Sequence, residues 1–446
     1  MNHTLSHNTV KELEESYYKH YSEERYISNN ENHIVTVTSF SKEYIVAKNR
    51  KEYDQSWKEN VFLNSIINHS LRIRRFDLLS NYNDHNNSPS ARSFHSTRLV
   101  FIINGYAYYY AMYTDQFLLI SSKKMSTEVF DEKKTYLIGV SDILNLSRLY
   151  NEFSLYISML DSGHLLYNIK NELGNYRLNY YQYTKFNSQE FYSHVNLDKR
   201  YSYVSFALEI EMDLSEVINV DNSLLGYDKR LDISLDELCA APHLRPLIDC
   251  YNNEKEIQKV EKFSEGFYSI PFINVEKRNS AHTIVGNYNK GDLFEKVKPD
   301  KILSLIKTNK KFFNNKDIQL MILKKESEGT IAWFENGNHY KVDINYSYLM
   351  YDNRNIFDMN SYNTVVIGYS TKDMISNFGL RNHITSFGEV MQFIGIYINR
   401  FQYSFRPMKN HNDSYIKDKL NLQTECTINY MGVVCNAPTQ QVSYYM

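Results

Sequence analysis

Two short stretches hold the residues best placed to do chemistry. Pro89-Ser90-Ala91-Arg92-Ser93-Phe94-His95 runs into Leu99-Val100-Phe101-Ile102-Ile103. A turn of small residues before an apolar, β-branched run lets a backbone lie flat against a large planar ligand and then enter a buried strand. Asp161-Ser162-Gly163-His164 reads as the opening of a helix predicted from Ser162 to Glu172, and a helix start presents unpaired N–H donors. Asp161 is then either an N-terminal cap or a ligand contact. Ser90 could equally bond its own backbone as a turn serine, and His164 could be a hydrogen-bonded structural histidine. His69, His95 and His164 would make a proton relay only if folding gathers them.

The elements that must position these residues follow from periodicity. Helical spacing covers Trp57 to Ile73 and Asp142 to Met159, with strands at Leu99–Ile103, Ala107–Tyr113, Phe117–Ile120 and Tyr203–Ile210. Asn104-Gly105 predicts a hairpin turn between the first two strands. Strand-like Ile34–Thr38 lies in an N-terminal extension, 1–55. After an acidic, helical stretch the layout repeats: a helix at Leu293–Ile306, strands at 318–323, 329–334, 340–344 and 364–369, a helix from Ser386 to Phe401, and a last strand at 427–435. Gly163 precedes the closing strand at Tyr203 much as Gly388 precedes Gly432. Matching order and spacing predict an internal duplication; two unrelated α+β domains are the alternative. The expected division is 1–55 extension, 56–212 first domain, 213–268 helical connector or assembly arm, and 269–446 second, diverged domain.

The bulk numbers bound the answer. A chain of 446 residues is long enough for two domains. A net charge of −2, from 50 basic and 52 acidic residues, provides no global field for nucleic acid, and Arg72, Arg74 and Arg75 are too few to supply one. No apolar run is long enough to span a membrane, and Met1 to Glu14 lacks a signal-peptide core. Cys239, Cys250, Cys426 and Cys435 form no CxxC, read as reduced thiols, and favour a cytoplasmic location. No ligand set has metal spacing. The 39 tyrosines fit an AT-rich coding sequence and mark no site.

These motifs are similar to those of the nitroreductase-like flavoproteins, and most of all to the azoline dehydrogenases of ribosomal peptide maturation. That branch shows Pro-Ser-Ala-Gly-Gly-Leu-His before a strand and Asp-Ala-Gly-His opening a helix. The likeness covers most of 56–215 and, more faintly, 270–438. It implies an α+β fold of two nitroreductase-like halves, each an antiparallel sheet flanked by helices, forming an intrachain pseudo-dimer. It also implies FMN, bound across the halves. The family's Arg-x-Ser-x-Arg phosphate segment corresponds to Asn68-His69-Ser70-Leu71-Arg72, which lacks the first arginine, and to Arg278-Asn279-Ser280-Ala281-His282, which keeps it. Arginine's fork suits a phosphate in a way that lysine does not. No Pro-Ser-Ala occurs between Leu303 and Gln319. The losses are complementary, so one composite site is expected: Pro89, Ser90 and Ala91 facing Arg278, Ser280 and His282, with Gly388 and Glu389 approaching the ring at a helix start. The branch's Lys-Tyr pair corresponds to Leu149-Tyr150; Tyr150 is kept and the lysine is not.

The resemblance implies an FMN-dependent oxidoreductase acting on a peptide or peptide-derived intermediate, with azoline-to-azole oxidation as first candidate and a cyclodehydratase or other maturation subunits as partners. A further homodimer is possible. A non-catalytic scaffold in such a complex is the rival reading, and a free-standing NAD(P)H nitro or quinone reductase is a third, although no GxGxxG is present.

Overall fold

The computed structural model describes residues 7–19, 56–77, 84–112, 115–121, 123–125, 130–195, 197–212, 214, 241–262, 297–313, 317–351, 359–371, 374–401, 403–423, 425–436 and 443–445. The run at 34–38 and the segment 278–282 lie outside them. The first half contains α1 (His7–Lys19), α2 (Val61–Ile66), β1 (Arg75–Asp77), β2 (Asp84–His85), β3 (Thr97–Ile103), β4 (Tyr106–Ala111), β5 (Gln116–Leu119) and β6 (Thr135–Asp142). It continues with α3 (Leu144–Tyr150), α4 (Ser154–Asn175), β7 (Tyr180–Lys185), α5 (Ser188–His194) and β8 (Ser202–Ile210). Within the expected connector lie α6 (Arg245–Asn252) and β9 (Gln258–Lys262). The second half has α7 (Pro299–Asn309), β10 (Gln319–Glu326), β11 (Gly329–Phe334), β12 (His339–Val342), β13 (Thr364–Thr371), α8 (Met374–Asn399), β14 (Tyr403–Met408), α9 (Asp413–Lys419), β15 (Cys426–Asn436) and β16 (Ser443–Tyr445).

The two halves repeat one antiparallel topology. Strand order is β5-β4-β3-β6-β8-β7-β9 in the first sheet and β12-β11-β10-β13-β15-β14 in the second. Even an irregularity is shared: β6 and β8 slip register at Gly139/Val140, and β13 and β15 slip at Gly368/Tyr369. The expected α+β duplication is therefore present. The hairpin at Asn104-Gly105 is also present, with left-handed φ of 51° and 75° at its two residues. β9 adds an edge strand to the first sheet, so the connector is not wholly helical. In addition β16, from the far end of the second half, pairs with β1 of the first.

Between the sheets run α4 and α8. Every residue from Ser154 to Leu173 is buried, which requires neighbours on all sides of the helix. Gly163 and Gly388 meet where the helices cross. A Cβ on Gly163 would stand 2.0 Å from the carbonyl oxygen of Thr385 and 2.8 Å from Cα of Gly388; one on Gly388 would stand 2.3 Å from the carbonyl oxygen of Leu160. Only glycine permits this approach. Two expectations are thereby corrected. Asp161 does not open a helix: α4 starts at Ser154, and Ser162 returns its hydroxyl to the Met159 carbonyl within the same helix, at 2.7 Å. Likewise α8 starts before Ser386, so Gly388 and Glu389 sit mid-helix, where backbone N–H groups are already paired. Their sequence signals came from close packing rather than from a helix end.

α1 ties the halves together. Tyr17 Oη donates to the Glu152 carbonyl and Tyr18 Oη to Asn429 Oδ1. Glu14 accepts from Tyr251 Oη and from the N–H of Leu380, where α8 resumes after the left-handed Gly379.

Candidate functional site

The Pro89–His95 segment folds back onto the middle of α4. Ser90 Oγ donates to Asp161 Oδ2 at 2.9 Å, Ser96 Oγ donates to the same oxygen at 3.1 Å, and the Ala91 N–H reaches Oδ1 at 3.2 Å. Ser90 Oγ in turn accepts the His95 N–H at 2.7 Å. Burial raises the Asp161 carboxyl to about 7 against the pull of these donors. A buried acid poised near neutrality in a concavity marks a candidate site. Arg92, Ser93 and His95 all adopt left-handed φ, of 50°, 56° and 47°. The first two stand where the resembling branch has glycines.

Beside this turn lies a hollow lined by Ser70, Leu71, Asn86, Ser88, Pro89, Ser90, His95, Ser96, Thr97, Asp161 and Leu165. Ser70, from the first half's phosphate-like segment, is fully buried, and its Oγ has no hydrogen-bond partner among the described residues. The hollow holds about 230 Å3 of empty space, part of it open to solvent. Very little of that space is enclosed, so the hollow as it stands falls far short of a small-molecule pocket. Hydroxyls and turn backbone fit one polar edge of a flavin ring, and an orphaned buried hydroxyl is what such an edge would satisfy. The described walls do not enclose a whole flavin.

The segment that could take a phosphate in the first half is already neutralised. Arg72 contacts Asp115 through Nε at 3.2 Å and through Nη2 at 2.8 and 2.9 Å, and Lys58 and Tyr110 reach the same carboxylate. Burial would raise Asp115, but these donors and the Arg72 charge hold it below the usual carboxylate range.

Around the helix crossing, residues 225 apart (the interval from Gly163 to Gly388) occupy equivalent places. On one side Gln392 of the second half donates to Asn168 Oδ1 at 2.7 Å and to the Asn87 carbonyl at 2.8 Å. Asn168 passes a bond to Ser88 Oγ, and Ser88 to the Ser70 carbonyl beside the hollow. On the other side the same two places are filled by Tyr167 and Phe393, ring centroids 5.7 Å apart, with Phe313 against both. There the fully buried Lys170 forms an ion pair with Glu389 and donates to the Phe312 carbonyl at 2.9 Å. Burial lowers the Lys170 ammonium to about 8, against the opposing charge of Glu389.

Several expected site residues thus part company. Pro89, Ser90 and Ala91 come together at the hollow. Tyr150 lies next to the turn, with the Arg92 guanidinium 5.6 Å from its ring centroid, but does not line the hollow. Glu389 is held by Lys170 and Gly388 is filled by α4, so neither presents free donors. Arg278, Ser280 and His282 lie outside the described residues. No histidine relay forms: His69 pairs with Glu172, His95 with Asp84, and His164 with Tyr430. Ser96, Asn168, Lys170 and Gln392 were not singled out from sequence; for the last three the one signal was a polar residue on a helix with no polar face.

No protein-family profile and no curated protein matches the chain. Among solved structures it is similar over 96% of its length, and 99% of the other chain, to a protein of Anabaena variabilis described as a nitroreductase, with a TM-score of 0.65 at 13% identity. An E. coli microcin synthetase McbBCD complex with truncated pro-MccB17 bound (TM-score 0.22, 8% identity, 35% of this chain and 62% of that one) overlaps too loosely to argue from. The same holds for a Ralstonia eutropha protein described as a nitroreductase (TM-score 0.27, 8% identity, 38% of this chain and 85% of that one). The chain has a nitroreductase fold in two halves.

Proposed function

We propose that the chain is an FMN-dependent oxidoreductase with one composite site, at the Ser90–Asp161 hollow, acting on a peptide or peptide-derived intermediate. The contrast across the helix crossing carries this reading: one junction keeps a hydrogen-bonded polar chain ending beside an orphaned hydroxyl, and its counterpart is filled with aromatic rings. Pro89, Ser90 and Ser70 would meet the polar ring edge, and Arg278, Ser280 and His282 would hold the phosphate. A bound flavin would accept the hydride; the chain's own residues orient the ligand and manage a proton, with Tyr150 the candidate carrier. Azoline-to-azole oxidation is the first reaction to assay, in a cytoplasmic maturation complex with a cyclodehydratase. Among the described residues no helix is long and apolar enough to cross a membrane.

A scaffold without flavin is the second reading. The small hollow, the donors already spent on Asp161 and the Arg72–Asp115 pair favour it. The visible spectrum of the purified protein, with identification of any released chromophore, separates the two. One FMN per chain supports the composite site, and two refute a single site. A colourless protein that takes up no added FMN puts the scaffold in front.

A further inference from the structure

We infer that Asp161 is a positioning residue of this site, holding the Ser90–Ala91 turn over the hollow in a backbone shape the turn would not keep unaided. The ligand part of the inference rests on the flavin reading; the contact geometry does not. Asp161 takes donors from both ends of the segment, Ser90 and Ala91 at one and Ser96 at the other. Between those ends, three of four consecutive residues (Arg92, Ser93 and His95) are non-glycine and left-handed, a conformation that L-residues disfavour. Something must over-determine it, and the carboxylate at the centre of the turn does so.

Asp161 also has no ion-pair partner among the described residues, and a buried carboxylate without one is costly. Mere packing would be served by an apolar residue. The place 225 residues on is Ser386, which spends its hydroxyl on the Asn382 carbonyl of its own helix at 2.7 Å. The latch therefore exists in the half that keeps the polar junction and not in the other.

The test titrates apo-protein with FMN and follows the flavin absorbance. Asp161→Ala should weaken binding about tenfold or more, as the turn loses the hydrogen bonds that hold it. Asp161→Asn, which keeps one acceptor oxygen, should recover part of the loss. Ile322→Val, a core control in β10, should lower the melting temperature and leave affinity unchanged. Wild-type affinity in Asp161→Ala, or an equal loss in the control, overturns the inference. If the wild-type protein itself takes up no FMN, the flavin reading fails and hydrogen exchange decides the latch. The Ala91 and His95 amides should then exchange about tenfold faster in Asp161→Ala, and unchanged protection overturns the inference.

Discussion

The pair Asn168–Gln392 and the pair Phe393–Tyr167 hold equivalent places on opposite sides of the Gly163–Gly388 crossing. One pair extends a hydrogen-bond chain to Ser88 and the hollow; the other packs its rings edge-on and tilted, with Phe313 against both. The lesson is that a duplicated scaffold can keep its backbone symmetry while its two junctions diverge in chemistry. Backbone geometry is fixed by the shared sheets and the glycine contact, whereas side chains at the junctions are free to specialise.

The sharpest way to break this comparison is at Lys170. If the second junction is purely structural, Lys170→Met takes from the buried Glu389 its ion-pair partner Lys170 and should cost about 3–5 kcal/mol. Lys170→Met with Glu389→Leu should regain most of it, as measured by urea denaturation; no regain would mean that the pair does more than neutralise itself. Gly163→Ala strikes both junctions together, because its Cβ overlaps backbone of the opposite helix, and should cost about 3 kcal/mol. A fully stable Gly163→Ala protein would mean that the crossing yields.

The next largest effect is a pH slope that belongs to the first junction. Asp161, raised to about 7 from 3.8, keeps its proton in the fold while the unfolded chain releases it. Stability should therefore fall as pH rises from about 4 to about 7, by up to about 1.4 kcal/mol per unit, and Asp161→Asn should flatten that slope. The second half has the opposite group: burial lowers His383 to about 3 from 6.5, so its contribution is lost as pH falls below about 6.5. Melting temperature against pH for each variant checks both signs.

Gln392→Leu removes the second half's reach into the polar chain and should cost about 2 kcal/mol through the donor lost to Asn168 Oδ1 and the Asn87 carbonyl. A tolerant Gln392→Leu would erase the contrast between the junctions. The smallest effect has the other sign. Arg92 is exposed and left-handed, so Arg92→Gly should stabilise by about 1 kcal/mol, read as a raised denaturation midpoint.

Legibility in the sequence followed local periodicity. Strands β3, β4, β8, β10, β11 and β13 and the Asn104-Gly105 turn were readable because alternation and turn chemistry are local. β6 and β7 were missed. So was the continuity of α4, because a helix buried on every side, with Ser158, Asn168, Lys170 and Glu172 in its interior, has no amphipathic stripe to detect. Ser162-Gly163 looked like a start signal because small residues also serve helix crossings. The Ser90 turn was singled out from sequence, but Asp161 was read as either a cap or a ligand contact and not as the partner of that turn.

By itself the sequence determined a two-fold repeat of α+β halves and marked the Pro89–His95 turn as a candidate contact. These are matters of order, spacing and residue type along the chain. Only the tertiary structure decided that Gly163 and Gly388 serve each other, that Glu389 belongs to Lys170, that Asp115 has taken Arg72, and that Asp161 holds the Ser90 turn. Each of those depends on residues at least 43 positions apart meeting in a low-dielectric interior. There the cost of an unpaired charge or an overlapping Cβ, invisible along the chain, selects the partner.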